Sequence, residues 1–230
     1  MATADVVSSG IVGYQQITIP QGYSLFTVTF KEVSGGNYDI QGIVPYTADG
    51  AIVTANNRVA IQKMGADGGY LTVYNYRNAR GGWCQGSTYL GTDAVLFADG
   101  EAMCINNTTG ADIKFQVSGA VELSPQSSAL GTGYSLVGNM TPATIDIQDI
   151  VPRDAEGNVI TANNRVSIQK MGTDGGYLTV YNYRSARGGW CQGSTYVGTS
   201  AVTFAPGESF CLNNTTGSTV ILDYKSPMAE

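Results

Sequence analysis

The sequence predicts an all-β protein built from two tandem homologous β-sandwich domains of jelly-roll-like kind, and three observations carry that expectation. First, at an offset of 107 residues, positions 54–110 fall on positions 161–217, and 47 of these 57 pairs are identical. Second, stretches of four to eight residues rich in Val, Ile, Thr, Tyr and Phe are punctuated by Gly-Gly and Asp-Gly turns at roughly ten-residue spacing, which is strand grammar. Third, only 13% of residues are charged while 30 of 230 are glycine and 14 are tyrosine, a poor composition for helices.

The elements follow in order. Residues 70–76 alternate cleanly, which puts Tyr70, Thr72, Tyr74 and Tyr76 on one face and Leu71, Val73 and Asn75 on the other. The other strand candidates of the first copy are residues 24–30, 58–64, 94–98, 102–105 and 113–117, with counterparts 107 or 111 residues later. Asp67-Gly68-Gly69 and Asp174-Gly175-Gly176 supply the positive φ of tight hairpins. Seven to nine strands per domain are expected. Each unit of about 110 residues is large enough to fold by itself, so the repeat reads as two domains and not as a solenoid. The division is residues 1–20 as an N-terminal strand or donor segment, 21–118 as the first sandwich and 119–230 as the second. Upstream, Gly22-Tyr23-Ser24-Leu25 meets Gly133-Tyr134-Ser135-Leu136 only after four residues are removed, from the turn around residues 34–37.

Charge and composition exclude whole classes of function. Twelve basic against 18 acidic residues give a net charge of -6, so no basic footprint for nucleic acid or anionic lipid exists. No apolar stretch reaches membrane-helix length, and membrane insertion is not expected. Histidine is absent, which removes imidazole relays and imidazole metal ligation. No pair of carboxylates stands out for glycoside hydrolysis, and serine or cysteine nucleophiles lack a base. A non-enzyme is expected.

The four cysteines, Cys84, Cys104, Cys191 and Cys211, sit as one pair per copy. Four cysteines allow three connectivities, and equal placement in the repeats favours Cys84 with Cys104 and Cys191 with Cys211. A zinc site lacks the close C-x2-C spacing, and buried free thiols are the plainer alternative. Disulfides would imply an oxidising compartment, hence an extracellular or cell-surface protein after removal of a signal peptide, in keeping with the small-x-small start Ala2-Thr3-Ala4.

Arg80-Gly81-Gly82-Trp83-Cys84 and its copy at residues 187–191 hold the only tryptophans. A loop Trp flanked by glycines is the kind of platform on which sugar rings stack, with Trp83 and Tyr74, and Trp190 and Tyr181, as the two sites; Trp packed inside the sandwich is the favoured alternative. No cofactor is expected. Calcium is the one candidate, through Asp67 and Asp174, or more weakly through Asp49 or the 154–158 loop, against a turn-capping role that the missing D-x-D-x-D-G order favours. The repeated Asn-Asn-Thr-Thr segments at 106–109 and 213–216 contain glycosylation sequons, or are polar turns.

The chain ends are unequal. Ser9-Gly10-Ile11-Val12 resembles Ser118-Gly119-Ala120-Val121 between the copies, whereas the positions matching 118–120 after the second copy are Lys225, Ser226 and Pro227. An open sheet edge on domain two is therefore expected, with residues 6–19, apolar through Val6, Val12, Ile17 and Ile19, as the strand that a neighbouring molecule donates to it. Such a contact builds a heterologous, head-to-tail homopolymer. The alternative is that this segment completes its own domain one.

The pattern IVGYQ-x-I-x-I-P-x-G-Y-S-L followed by GYSLVGN-x-TP and IDIQDI resembles uncharacterised secreted tandem β-repeat proteins of bacteria, over most of both copies. The architecture is loosely similar to subunits of extracellular filaments and surface layers. The resemblance implies a self-associating extracellular structural protein; the alternative is a bivalent, lectin-like glycan binder.

Overall fold

A computed structural model describes residues 12–30, 37–65, 67–121, 126–141, 143–172 and 174–224. The described chain is all-β, of β-sandwich type. The first half contains β1 (Val12–Ile19), β2 (Gly22–Thr27), β3 (Tyr38–Asp39), β4 (Val44–Thr47), β5 (Val59–Met64), β6 (Tyr70–Arg77), β7 (Gly82–Gln85), β8 (Thr88–Tyr89), β9 (Leu96–Phe97), β10 (Ala102–Asn107) and β11 (Ile113–Ala120). The second half repeats them as β12 (Gln126–Leu130), β13 (Gly133–Gly138), β14 (Ile145–Asp146), β15 (Ile150–Arg153), β16 (Val166–Met171), β17 (Tyr177–Arg184), β18 (Gly189–Gln192), β19 (Thr195–Tyr196), β20 (Thr203–Phe204), β21 (Ser209–Asn214) and β22 (Val220–Tyr224). This exceeds the expected seven to nine per half because β3, β8 and β9 are two-residue strands, too short to show alternation.

Each half pairs a three-stranded sheet, in order β1-β11-β4 or β12-β22-β15, with a six-stranded sheet, in order β2-β10-β5-β6-β7-β8 or β13-β21-β16-β17-β18-β19. The inner faces meet in one core per half, filled by Ile61, Trp83, Met103 and Phe115 in the first and by Ile168, Trp190, Phe210 and Leu222 in the second. The two cores differ in a compensated way. Phe26 lies opposite Met103 on neighbouring strands, and in the second half Val137 lies opposite Phe210, so the aromatic ring changes strand while the filled volume stays similar.

The N-terminal strand belongs to its own domain. β1 pairs antiparallel with β11 along its whole length, from Val12 with Ala120 to Ile19 with Ile113, and Ile19 is buried while Ile17 packs on the core. The donor reading of Val12, Ile17 and Ile19 is corrected accordingly, and Val6 lies outside the described residues. The open edge expected on domain two is corrected with it. β12, from the segment joining the halves, covers β22 in the same way, Gln126 opposite Tyr224 and Leu130 opposite Val220. Sequence comparison missed this because β12 shares almost no residues with β1.

One face assignment also changes. Tyr74 and Tyr76 point into the core, but the register between β5 and β6 shifts at Lys63/Met64, so that Lys63 faces Thr72 while Met64 faces Tyr70. The bulge turns Tyr70 to the outer face. β16 and β17 carry the same irregularity before Met171 and Tyr177.

Candidate functional site: the inter-repeat face

Several polar residues kept in both copies are occupied with structure. Asp39 accepts hydrogen bonds from the Gln41 and Asp93 backbone amides, at 3.0 and 2.8 Å, and so ties the 3-10 turn at Ile40–Gly42 to the distant 91–95 loop. Gln41 then clamps β7: its side-chain nitrogen donates to the carbonyls of Trp83 and Leu90, and its oxygen accepts from the Trp83 amide at 3.1 Å. Gly82 is needed for this clamp, since a Cβ there would collide with the Gln41 oxygen. Asp146, Gln148 and Gly189 repeat the arrangement around Trp190. Lys63 pairs with Glu101 at 2.9 Å and lies over the Phe97 ring, as Lys170 does with Glu208 and Phe204. Arg77 donates to Asn57, and Arg184 to Asn164.

The Gly-Gly-Trp segments are therefore core anchors. Trp83 and Trp190 are 0% exposed; each ring nitrogen donates at 2.7 Å to the carbonyl of Ile43 or Ile150, and each ring meets a tyrosine, Tyr76 or Tyr183, edge to face. Tyr74 and Tyr181 are buried as well. The glycan platform read from these four residues is corrected: none presents an open face. Asp67 and Asp174 cap their own hairpins, each accepting from the amide two residues on, Gly69 or Gly176, at 2.9 Å. Asn107 and Asn214 are fully buried and hold the β10–β11 turn and its copy by hydrogen bonds to three carbonyls each, so these asparagines are structural and closed to glycosylation.

The disulfide assignment is corrected too. All four cysteines are free and buried. Cys84 on β7 and Cys104 on β10 are separated by β6 and β5, roughly 14 Å at about 4.8 Å per strand, where a disulfide needs Cα atoms within about 7 Å. β18 and β21 keep Cys191 and Cys211 apart by the same two intervening strands. Denatured without reductant, the protein is expected to yield four titratable thiols; a count of zero would restore the bonds.

What the sequence concealed is the surface between the halves. The outer faces of β2, β10 and β5 pack on those of β13, β21 and β16, burying Ala102, Cys104, Leu136 and Cys211, with Leu25, Met64, Tyr70 and Met171 against them. Several of the contacts occur twice with the roles exchanged. The Thr27 amide donates to the Gly207 carbonyl, and the Gly138 amide to that of Gly100. Gly68 at the first hairpin tip lies against Tyr134, and Gly175 at the second against Tyr23. The halves are thus related by an approximate two-fold axis, an isologous junction inside one chain.

Four sulfurs and two phenols gather there. Cys104 Sγ stands 3.8 Å from Met171 Sδ, and Cys211 Sγ 3.7 Å from Met64 Sδ. Tyr70 Oη lies 3.8 Å from Met171 Sδ, and Tyr177 Oη 3.9 Å from Met64 Sδ. Burial pushes the Cys104 thiol up to about 11, and it raises the Cys211 thiol and both phenols as well. Two grooves flank the junction, of about 400 and 410 Å³; Met171, Lys170 and Pro206 line one, Met64, Asp99 and Tyr134 the other. Among the described residues no cluster of three or more His, Cys, Asp or Glu could hold a metal ion.

No protein-family model matches the chain, and no curated protein and no solved structure is significantly similar to it.

Proposed function

We propose that the protein is a non-enzymatic extracellular structural protein that self-assembles into filaments or a surface layer. The observation that carries this reading is a pair of equivalent exposed apolar patches, one on each half. On the outer face of β6 to β8, Val73 is 42% and Tyr89 44% exposed; on β17 to β19, Val180 is 41% and Tyr196 44% exposed. Each patch adjoins a two-residue edge strand, β8 or β19, with unpaired backbone groups beyond it. A second copy of the chain is the occupant such a patch fits, because Val73 with Tyr89, and Val180 with Tyr196, would meet their own counterparts as like apolar groups.

Symmetry then sets the outcome. The internal junction is one two-fold; pairing a patch with the same patch of another molecule makes a second, non-coincident two-fold, and the two together propagate a line. This replaces strand donation as the route to a polymer. The bivalent glycan-binding alternative has lost its aromatic platform to the core. Extracellular placement rests on the resemblance to secreted repeat proteins, the thiols no longer supporting it.

The test is sedimentation and electron microscopy of the full-length protein at high concentration, over a range of salt and calcium. Linear assemblies are expected, with Val73→Lys plus Val180→Lys giving monomers of unchanged circular dichroism. A wild type that stays monomeric throughout would sink the proposal.

A further inference from the structure

We infer that each half carries a binding face for an acidic polysaccharide on the outer side of its six-stranded sheet, centred on Arg58 and Arg77 in the first half and on Arg165 and Arg184 in the second. The inference does not rest on assembly and stands if assembly fails.

Charge comes first. The chain has 18 acidic residues against 12 basic ones, yet six of its seven arginines form two matching sets, Arg58, Arg77 and Arg80 with Arg165, Arg184 and Arg187. None of the six makes an ion pair within the described residues, whereas Lys63, Lys170 and Arg153 each do. Guanidinium groups gathered without acids in an otherwise acidic chain are set for an anionic partner, whose carboxylate or sulfate oxygens match the planar fork of N–H donors.

Register builds the face. Val59, Ile61, Tyr74 and Tyr76 belong to the core, so Ala60, Asn75 and Arg77 take the outer side, with Arg58 leading into β5 at the same end as Arg77. Asn106, Ala60, Asn75, Cys84 and Tyr89 then lie opposite one another in turn across β10, β5, β6, β7 and β8. That row is roughly 19 Å long at about 4.8 Å per strand. Asn213, Ser167, Asn182, Cys191 and Tyr196 repeat it. The carboxamides of Asn75 and Asn106 are half-buried and bond to no other part of the described chain, and the same holds for Asn182 and Asn213. Arg77 is fixed in place, its Nε donating to Asn57 Oδ1 at 2.7 Å, which leaves its terminal nitrogens for a ligand; Asn164 fixes Arg184 at 2.8 Å.

Ligand chemistry follows from this set. The arginines take the acid group, the carboxamides both give and accept hydrogen bonds with hydroxyls, and the exposed Tyr89 ring offers a flat surface to a sugar ring. Acidic sugar units present all three features along one polymer. Nucleic acid is disfavoured by the net charge of -6, and an acidic peptide supplies carboxylates without the hydroxyls that the carboxamides match. The face is separate from the buried Trp83 and Tyr74 pair.

The experiment is surface plasmon resonance of the full-length protein, at concentrations too low for polymer to sediment, over immobilised polygalacturonate, dextran sulfate, neutral dextran and polyglutamate. Binding to one or both acidic polysaccharides is expected, weakened by added salt and absent on dextran. A preference for polygalacturonate identifies the acid group as a carboxylate, a preference for dextran sulfate as a sulfate. Arg58→Gln with Arg165→Gln should weaken binding by about tenfold or more, the scale of a lost charge-assisted hydrogen bond, and Lys114→Gln, on the other sheet, should leave it unchanged. Asn75→Asp with Asn182→Asp, isosteric with the native amides, should abolish binding by setting a carboxylate beside the arginines. Absence of binding to both acidic polysaccharides, equal binding to dextran, tighter binding to polyglutamate, or an equal loss in the Lys114 variant would each overturn the inference. Unaltered affinity in the asparagine variant would overturn it too, which keeps it falsifiable if the arginine variant fails to fold.

Discussion

Trp190→Ala is expected to destabilise the second half by about 3 to 5 kcal/mol, an effect matched in the first half by Trp83→Ala. The ring is the bulkiest side chain of its core, fully buried, with an edge-to-face partner in Tyr183 and a hydrogen bond from its nitrogen to the Ile150 carbonyl. Truncation opens a cavity and also leaves that carbonyl unsatisfied, a further cost. Since whole domains are stable by only about 5 to 15 kcal/mol, urea unfolding followed by circular dichroism should shift to much lower denaturant. Trp83 remains in this variant as the sole fluorophore of its kind, so its emission reports how far the first half follows. A loss below about 1 kcal/mol, the scale of a surface substitution, would mean that the ring does not sit in the core.

Leu136→Asp should act on the junction and spare the cores. Leu136 is 5% exposed among Ala102, Cys104 and Cys211, while its neighbour Val137 points the other way, into the second core. An unpaired carboxylate buried there costs about 3 to 5 kcal/mol, and that cost disappears if the halves separate. We expect one thermal transition to split into two, with a larger radius of gyration in solution scattering and an unchanged far-ultraviolet spectrum. Leu136→Ala is the milder control. A single unshifted transition for Leu136→Asp would show that the halves do not support each other through this face.

Strand existence was legible because it depends on local chemistry: the alternation through Tyr74 and Tyr76 and the Asp-Gly pairs before Gly69 and Gly176 are visible in a short window. The packing of Trp83 inside the sandwich was the favoured reading and holds, but the clamp that fixes it was not legible, because it comes from Gln41 and Asp39, more than forty residues upstream; flanking glycines that look like an open loop are there to let Gln41 approach. The cysteines misled for a related reason. Equal spacing in two copies suggests a bond within each copy, yet Cys104 and Cys211 instead face each other's half. Outward positions of a strand such as Leu25, Met64 and Leu136 look alike in sequence whether they meet water or another sheet, and the bulge that turns Tyr70 outward leaves no compositional trace. Distant pairing decides these features, and a linear reading holds no record of it.

The flanking grooves show what joining the halves in one chain permits. Two separate identical subunits about a true two-fold would have to carry identical grooves, so any change to one would appear in both. Covalent linkage lifts that constraint, and the grooves have diverged: Ile17, Ile19 and Pro206 border the first where Ser127, Ser128 and Asp99 border the second. A single molecule thereby offers an oily recess and a hydrophilic one on the same frame, and a ligand that discriminates between them would give an otherwise symmetric body a direction.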